Sequence, residues 1–427
     1  MTILLRTLVF MVVLLAVLGQ FLKTLATLAG VSNMVPTIRG LSLIVIAFVG
    51  LIAGNVVKSQ RLLVGTGLVV LSLFIYLLIA FVEDNAIAGL YFARTYILPL
   101  FFAVALHGAL GQQTIPEIRK TIQFTLVMSL IIVVSAIGLY IVTLIYPTLG
   151  ATLISTGEIH SAWYISGGTW LRMGLPATGP NSLGLILGLN VLLMLSLLDS
   201  DQQTHNKWIL PLLGLSVIGL ILTFSRSSWL MVMAGAGTLL LYVNRSKFEA
   251  IKGIAVFIMV AAILSGVTLA ILAMADATAF DQISLWLELN LSGNDPSMQG
   301  HLVSFQDAWE QLDQYYLHGF PKGTVGPKAL SFTNKIHNVE SSPLALVYDM
   351  GLPLSFLFMA GWVLILAEFY VTQAQWAVLF GFIVCTQFLP YVFEADSQIY
   401  FLFIYVLVGL GAKTDVNVPL TGRSQYA

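Results

Sequence analysis

The sequence predicts an all-α polytopic membrane protein with about twelve transmembrane helices. Of its 427 residues, 58% are hydrophobic and only 9% are charged, whereas soluble domains average about 25% charged residues. Apolar runs long enough to cross a hydrocarbon core recur along the chain, since each helical crossing needs about 20 residues. The alternating segments of about ten residues that build transmembrane barrels are not seen.

Hydropathy places these helices along the whole chain, so residues 1–427 are expected to form a single integral membrane domain. The first apolar run is interpreted as a retained helix, because no small-residue cleavage site follows it. The predicted spans are 7–28, 38–56, 62–82, 88–109, 121–145, 180–198, 208–224, 228–243, 254–274, 344–366, 375–391 and 397–412.

Basic residues in the short loops predict the orientation of the chain. One side of the predicted topology collects eleven lysines and arginines and the other collects eight. Both termini are therefore placed in the cytoplasm. The two long loops, 146–179 and 275–343, then face outward, as does the short turn around Arg226.

Composition also narrows the class of function. A net charge of −1 argues against a nucleic-acid partner. The single cysteine, Cys385, excludes an intrachain disulfide and a cysteine-based metal cluster. Nucleotide-binding, zinc-protease and serine-nucleophile motifs are absent, so no cofactor or metal is predicted. The pair Asp199 and Asp201 resembles an Asp-x-Asp metal motif, but a solvated cytoplasmic loop is the favoured interpretation.

The loop 275–343 carries a predicted amphipathic helix in the stretch GHLVSFQDAWEQLDQYYL. Apolar residues recur at helical spacing and acidic residues lie on a different face, which is typical of a helix lying on the bundle or at the membrane interface. The apolar positions are Leu302, Phe305, Trp309, Leu312 and Tyr316, and the acidic positions are Asp307, Glu310 and Asp313. The following GFPKGTVGP is predicted to be rich in turns.

Arg226 lies in the stretch LTFSRSSWL, between two apolar runs. A charge at mid-membrane costs about 2.5–3.5 kcal/mol and less near a surface, so this arginine is expected to meet an anion. The alternative is an arginine that extends to the membrane surface beside Trp229.

Two further arginines are candidates on the same predicted side. Arg94 is either functional or a helix-end arginine paired with Glu83 or Asp84, and Arg172 is either functional or a solvated loop residue. Three guanidinium groups on one face would suit a diphosphate, because each presents a planar fork that binds phosphate oxygens in pairs.

His337 is the candidate general base, because imidazole titrates near neutral pH. Glu340 follows three residues later, and on a helix it would lie on the same face and orient the ring. The alternative is a loop histidine without a chemical role. His301, at the start of the amphipathic helix, has the same two interpretations, and the second has more weight there.

Three stretches of the sequence together resemble the O-antigen ligase and Wzy-type polymerase family of bacterial envelope enzymes. They are LRMGLPATGPNSLGLILGLN, LTFSRSSWL and the region from HGFPKGTVGP to IHNVESSPLALVYDMGL, within roughly 165–365. The positions that match the family pattern are Arg172, Gly179, Asn181, Gly184, Thr223, Ser225, Arg226, Gly319, Gly323, His337, Asn338, Asp349 and Gly351.

The resemblance implies a GT-C-like enzyme that takes glycans from undecaprenyl diphosphate at the outer face of the bacterial inner membrane. It implies an inverting, metal-independent transfer to a hydroxyl of a glycan or lipid acceptor. The chain departs from the family at Gly300–His301, where an arginine is frequent, and at Asp349, where glutamate is usual. The first departure favours a polymerase over a lipopolysaccharide ligase.

Site roles follow from this resemblance and from the chemistry of the residues. His337 is the expected base, and Arg226, Arg172 and Arg94 are the expected diphosphate ligands. The expected supporting or acceptor-binding residues are Glu340, Asn338, Asp349, His301, Asn181 and Ser225. The candidate sugar-stacking residues are Trp163, Tyr164, Trp170, Tyr315 and Tyr316.

Three functions remain open at this point. Besides the polymerase, a ligase would move the finished glycan to lipid A core or to a protein. A transporter or flippase for lipid-linked glycans would carry out no chemistry, but it predicts charges through the midplane and matching halves, which this sequence lacks. Membrane lipid and a chain-length regulator protein are further expected partners.

Overall fold

The computed structural model describes residues 2–28, 38, 40–45, 48–49, 59–110, 113–146, 148–149, 171–198, 208–242, 288, 292, 296–325, 339, 341–389 and 394–413. Most of these residues are helical. The helices are α1 (Thr2–Leu28), α2 (Gln60–Val82), α3 (Ala86–Leu110), α4 (Ile115–Ile145), α5 (Pro180–Leu198), α6 (Ile209–Leu222), α7 (Arg226–Tyr242), α8 (Pro296–Tyr315), α9 (Ser342–Met350), α10 (Leu352–Phe369), α11 (Ala374–Thr386) and α12 (Ala395–Lys413).

Five of the described helices are long and apolar enough to cross a membrane, namely α2, α3, α4, α5 and α10. Shorter apolar helices accompany them, including α6 and α11. The predicted helical membrane class is thereby confirmed, whereas the count of twelve spans stays a prediction. The predicted span 254–274, and much of the loops 146–179 and 275–343, lie outside the described residues. The amphipathic helix predicted in the second loop is present as α8.

The predicted span 344–366 begins too early, because the chain breaks at Gly351 into α9 and α10, and only α10 is long and apolar enough to cross a membrane. Gly351 has a φ of 79°, a left-handed conformation that side chains with a Cβ disfavour. A Cβ at this position would also lie 2.5 Å from the carbonyl oxygen of Leu317. Hydropathy misses such a break, because the residues on both sides are apolar. Asp349 consequently belongs to a short helix and not to a membrane span.

Helices α5 and α12 form the centre of the described bundle. Almost every side chain of α5 is buried, and so are the residues of α12 from Ile399 to Gly411. A buried amide joins three helices here, since the hydroxyls of Ser129 and Tyr400 donate to Asn190 Oδ1 over 2.9 and 2.6 Å. Hydrogen bonds of this kind hold helices together where no water can replace them.

The helices reverse direction along the chain, so their connections collect at two ends of the bundle. At one end Arg6 binds the carboxylate of Glu117 at 2.9 Å and the carbonyl of Ala109 at 3.1 Å. These contacts bring together the beginning of α1, the end of α3 and the beginning of α4. The turns 83–85, 171–179 and 223–225, together with Gly351, then lie at the opposite end, which we call the Arg226 end.

Helices α2 and α10 approach each other closely at Gly65 and Gly361. A Cβ on Gly65 would lie 2.7 Å from the carbonyl oxygen of Gly361, and a Cβ on Gly361 would lie 2.7 Å from that of Gly65. Small residues allow such contact between membrane helices, where van der Waals packing replaces the hydrophobic effect as the main attraction.

Replacing Gly65 by alanine should destabilise the protein by about 1–3 kcal/mol, because the added methyl overpacks the crossing. Thermal unfolding in detergent measures the change as a lower melting temperature. Gly67→Ala is the matched control, since a Cβ on Gly67 would meet nothing within 4 Å. Equal melting temperatures for the two variants would contradict the close crossing.

Candidate functional site

Arg226 is positioned by the tight turn between α6 and α7. The N–H of Thr223 donates to the carbonyl of Gly219 at 3.1 Å, and the Thr223 hydroxyl accepts from the N–H of Ser225 at 3.3 Å. Phe224 has a φ of 50°, which is uncommon for a bulky residue. Backbone conformations of this kind persist where the surrounding contacts hold them, often at functional sites. The turn thus makes Arg226 the first residue of α7.

Arg172 is hydrogen-bonded to this same turn. Its Nε donates to the carbonyl of Thr223 at 2.9 Å, and its terminal nitrogen donates to the carbonyl of Phe224 at 3.3 Å. The same nitrogen donates to Asn181 Oδ1 at 3.0 Å. The guanidinium therefore joins the carboxyl end of α6, where a cation is electrostatically favoured, to the beginning of α5.

The beginnings of α5 and α7 lie side by side at this place. A Cβ on Gly184 would lie 2.8 Å from Ser225 Cβ and 2.7 Å from Ser228 Oγ. Ser225 is buried, and its hydroxyl lies 2.8 Å from that of Ser228. Helix beginnings carry partial positive charge, and the half-buried guanidinium of Arg226 adds to the positive potential at this place. The arrangement suits an anionic ligand.

A shallow surface cleft lies beside Arg172. Its wall is formed by the segment 171–175 together with Tyr140 and Thr143 of α4. The hydroxyl of Tyr140 donates to the carbonyl of Leu171 at 3.0 Å, which fixes this segment against the bundle.

Arg94 lies on α3, and its side chain is exposed. Among the described residues, no ion pair between Arg94 and Glu83 is observed. The Glu83 carboxylate instead accepts the backbone N–H of Lys322 at 2.7 Å.

Asp349 is fully buried at the end of α9. Its carboxylate accepts from the hydroxyls of Tyr96 at 2.7 Å and Tyr76 at 3.1 Å. Burial raises the pKa of Asp349 to about 6, while the tyrosine hydrogen bonds and the positive charge of Lys322 oppose that shift. A carboxylate enclosed in this way has no surface to offer an acceptor sugar in the described conformation.

Lys322 completes this cluster from the turn that follows α8. Its Nζ donates to the carbonyls of His318 at 2.6 Å and Phe320 at 3.2 Å, and it lies 5.7 Å from the centre of the Tyr76 ring. Burial lowers the pKa of Lys322. We call Asp349, Tyr76, Tyr96 and Lys322 the Asp349 cluster. It fastens the turn 316–325 to α2, α3 and α9.

The remaining predicted residues cannot be placed. His337, Asn338 and Glu340 lie outside the described residues, and of His301 only the helical backbone is described. Three of the candidate sugar-stacking residues, Trp163, Tyr164 and Trp170, also lie outside the described residues. Tyr315 is described, and its ring stacks on that of Phe320 at 3.8 Å. The described residues contain no group of acidic, histidine or cysteine side chains suited to a metal.

Sequence reasoning missed four polar residues at the Arg226 end, namely Tyr76, Tyr96, Lys322 and Glu394. Glu394 precedes α12 and accepts from the hydroxyls of Ser182 at 3.0 Å and Ser397 at 2.9 Å. Its position beside the beginning of α5 is a tertiary contact that local sequence cannot reveal. Lys322 alone carried a local signal, as a basic residue inside a glycine-rich turn.

The fold is that of a polytopic helical membrane protein, with the turn that carries Arg226 and binds Arg172 at one end of the bundle. The family model described as O-antigen ligase matches residues 211–359, from α6 to α10. This match confirms the predicted resemblance to the O-antigen ligase and polymerase family, and it supports a function of that general type. No curated protein and no solved structure matches the chain.

Replacing Asp349 by alanine should lower the free energy of unfolding by about 1–3 kcal/mol, because buried hydroxyls lose their acceptor.

The raised pKa of Asp349 also predicts a pH dependence. The folded protein holds this proton more tightly than the unfolded chain does, so stability falls as pH rises from about 4 to about 6.

Melting temperatures measured across this pH range for the wild type and for Asp349→Asn test the assignment. The asparagine variant should lose the part of the decline that Asp349 causes. The same slope in both proteins would mean that Asp349 does not titrate there.

Proposed function

We propose that the protein is a membrane glycosyltransferase that polymerises oligosaccharide repeat units carried on undecaprenyl diphosphate. The observation that carries the proposal is the hydrogen bonding of Arg172 to the turn that presents Arg226. This turn lies within the region that matches the O-antigen ligase family. The site would face the outside of the bacterial inner membrane.

The diphosphate of the donor would bind at the beginnings of α5 and α7. Arg226 would contact its oxygens directly, and Arg172 would contribute charge while it holds the turn in place. Guanidinium groups retain their charge at any relevant pH and bind phosphate oxygens in pairs. The partial positive charges of the two helices would add to the same field.

The reaction follows from the chemistry of a polyprenyl diphosphate. The oxygen of an acceptor hydroxyl attacks the anomeric carbon of the donor glycan, and the bond from that carbon to the phosphate oxygen breaks. Undecaprenyl diphosphate leaves, and the arginines neutralise the charge that develops on it. His337 would take the hydroxyl proton, with Glu340 orienting the ring. Attack from the opposite face inverts the anomeric configuration.

In this proposal Asp349 does not bind the acceptor. It holds in place the turn that precedes the segment with His337. The Asp349 cluster fastens the turn 316–325 to the bundle. Val339, two residues after His337, is buried. Ser342 Oγ then donates to the carbonyl of Leu389 at 2.6 Å. Both flanks of the segment that contains His337 are therefore held to the bundle. Arg94 is the weakest of the proposed diphosphate ligands, because its side chain is exposed and no described contact joins it to the turn 223–225.

A ligase is the second candidate, because the matching family model is described by that activity. Polymerase and ligase share the donor site and differ in the acceptor. Purified protein with lipid-linked repeat units alone distinguishes them. Chain growth supports the polymerase, whereas transfer only after addition of a core lipid would support the ligase. If neither the donor nor the acceptor is consumed in either assay, the proposed glycosyl transfer is contradicted.

Substituting Arg226 by lysine should lower the transfer rate by about tenfold or more, because an ammonium lacks the paired fork and each lost charged hydrogen bond costs about 1.5–3 kcal/mol. The rate is measured as release of undecaprenyl diphosphate. Arg61→Lys is the matched control, because Arg61 is exposed at the other end of α2. A rate near wild type for Arg226→Lys would count against diphosphate binding there.

His337→Ala should lose nearly all transfer while donor binding persists, since general-base catalysis contributes about 10²–10⁴-fold. His318→Ala is the control, because the exposed His318 contributes only its backbone carbonyl to the contacts described above. Normal transfer by purified His337→Ala would show that another group accepts the proton.

A further inference from the structure

Helix α8 leaves a row of apolar side chains without protein cover. Trp309 is 63% exposed, and Leu302, Phe305 and Tyr316 are 54, 50 and 44% exposed. At 100° per residue these four positions fall within an arc of about 60°. The rings of Phe305 and Trp309 stack with centroids 6.4 Å apart, so they form one continuous surface.

The other sides of α8 have different surroundings. Ala308 is buried, and Leu312 and Tyr315 pack against the core, so one side of the helix rests on the protein. The acidic residues Asp307 and Glu310 are exposed on a third side, which is neither the packed side nor the side with the apolar row. The helix therefore has a packed face, a bare apolar face and an exposed polar face. Asp313 is also exposed, and it falls at the edge of the bare apolar face, about 20° from Leu302. The bare apolar face is the one that needs a partner.

The end of α8 is fixed at the level of a membrane surface. The N–H of Leu352 donates to the carbonyl of Tyr316 at 2.6 Å, and the N–H of Phe320 donates to that of Tyr348 at 2.7 Å. Leu352 is the first residue of α10, which is long and apolar enough to cross a membrane. The residues just after α8 thus sit where a membrane span begins.

The apolar face also continues into a surface that is itself suited to lipid. Leu352 and Phe356, on the first turns of α10, are 53 and 75% exposed. Trp, Phe and Leu along one side of a helix, with a charged opposite side, are typical of helices that lie in the headgroup region. Tryptophan and tyrosine in particular prefer the boundary between headgroups and hydrocarbon.

We infer that α8 lies in the membrane interface, with Leu302, Phe305, Trp309 and Tyr316 inserted among lipids and the exposed polar face toward water. The partner of this face is the bilayer itself. The inference is independent of the proposed glycosyl transfer, because it rests on exposure and on the contact between Tyr316 and Leu352. It makes α8 a lipid-bound element beside the Asp349 cluster.

Spin labels at single cysteines in the full-length protein test this placement. Cys385 is buried and can be replaced by alanine, or retained because it is shielded from the label. The labelled positions are Phe305 and Trp309 on the apolar face, with Gln306 and Glu310 as matched controls. The protein is reconstituted in vesicles of phosphatidylethanolamine and phosphatidylglycerol.

Accessibility to oxygen, which dissolves in lipid, is compared with accessibility to a water-soluble nickel chelate. The ratio of oxygen to nickel accessibility should exceed one at residues 305 and 309 and fall below one at 306 and 310. Nickel accessibility above that of oxygen at all four positions would place the helix in water and overturn the inference. Low accessibility to both probes at 305 and 309 would show a protein cover, such as a second copy, and would overturn it equally.

Discussion

The hydrogen bonds from Arg172 to the carbonyls of Thr223 and Phe224 are the contacts on which the functional account depends. They place one guanidinium against the turn that presents another. Two like charges near the membrane are costly, and the beginnings of α5 and α7 add positive potential to the same place. The carboxyl end of α6 offsets part of this charge at Arg172. The proposed diphosphate would bind in this positive region.

The Asp349 cluster stabilises the same end of the bundle by other means. A buried carboxylate is tolerated because two tyrosine hydroxyls and a nearby ammonium compensate for its lost hydration. The turn 316–325 is thereby held between α2, α3 and α9. Its neighbour α8 ends at this turn, and the segment with His337 follows it. Enzyme sites commonly need a rigid support of this kind for their catalytic side chains.

Much of this architecture could be predicted from local sequence. Apolar length revealed the spanning helices, and amphipathic spacing revealed α8. The pairing of Arg172 with Asn181 and the turn at Ser225 lie in motifs that resemble the O-antigen ligase family. The break at Gly351 could not be predicted, because its cause is a close approach of Leu317. The tyrosines of the Asp349 cluster were equally hidden, since Tyr76 and Asp349 are 273 positions apart.

The central claim is that Arg172, Arg226 and the imidazole of His337 meet at one diphosphate. The most direct test is an experimental structure of the full-length protein in lipid with undecaprenyl diphosphate bound. The account predicts diphosphate density in contact with the Arg226 guanidinium and beside Arg172, with His337 facing the position of the anomeric carbon. Density for the diphosphate at the Arg6 end of the bundle, or a His337 side chain directed away from it, would contradict the account.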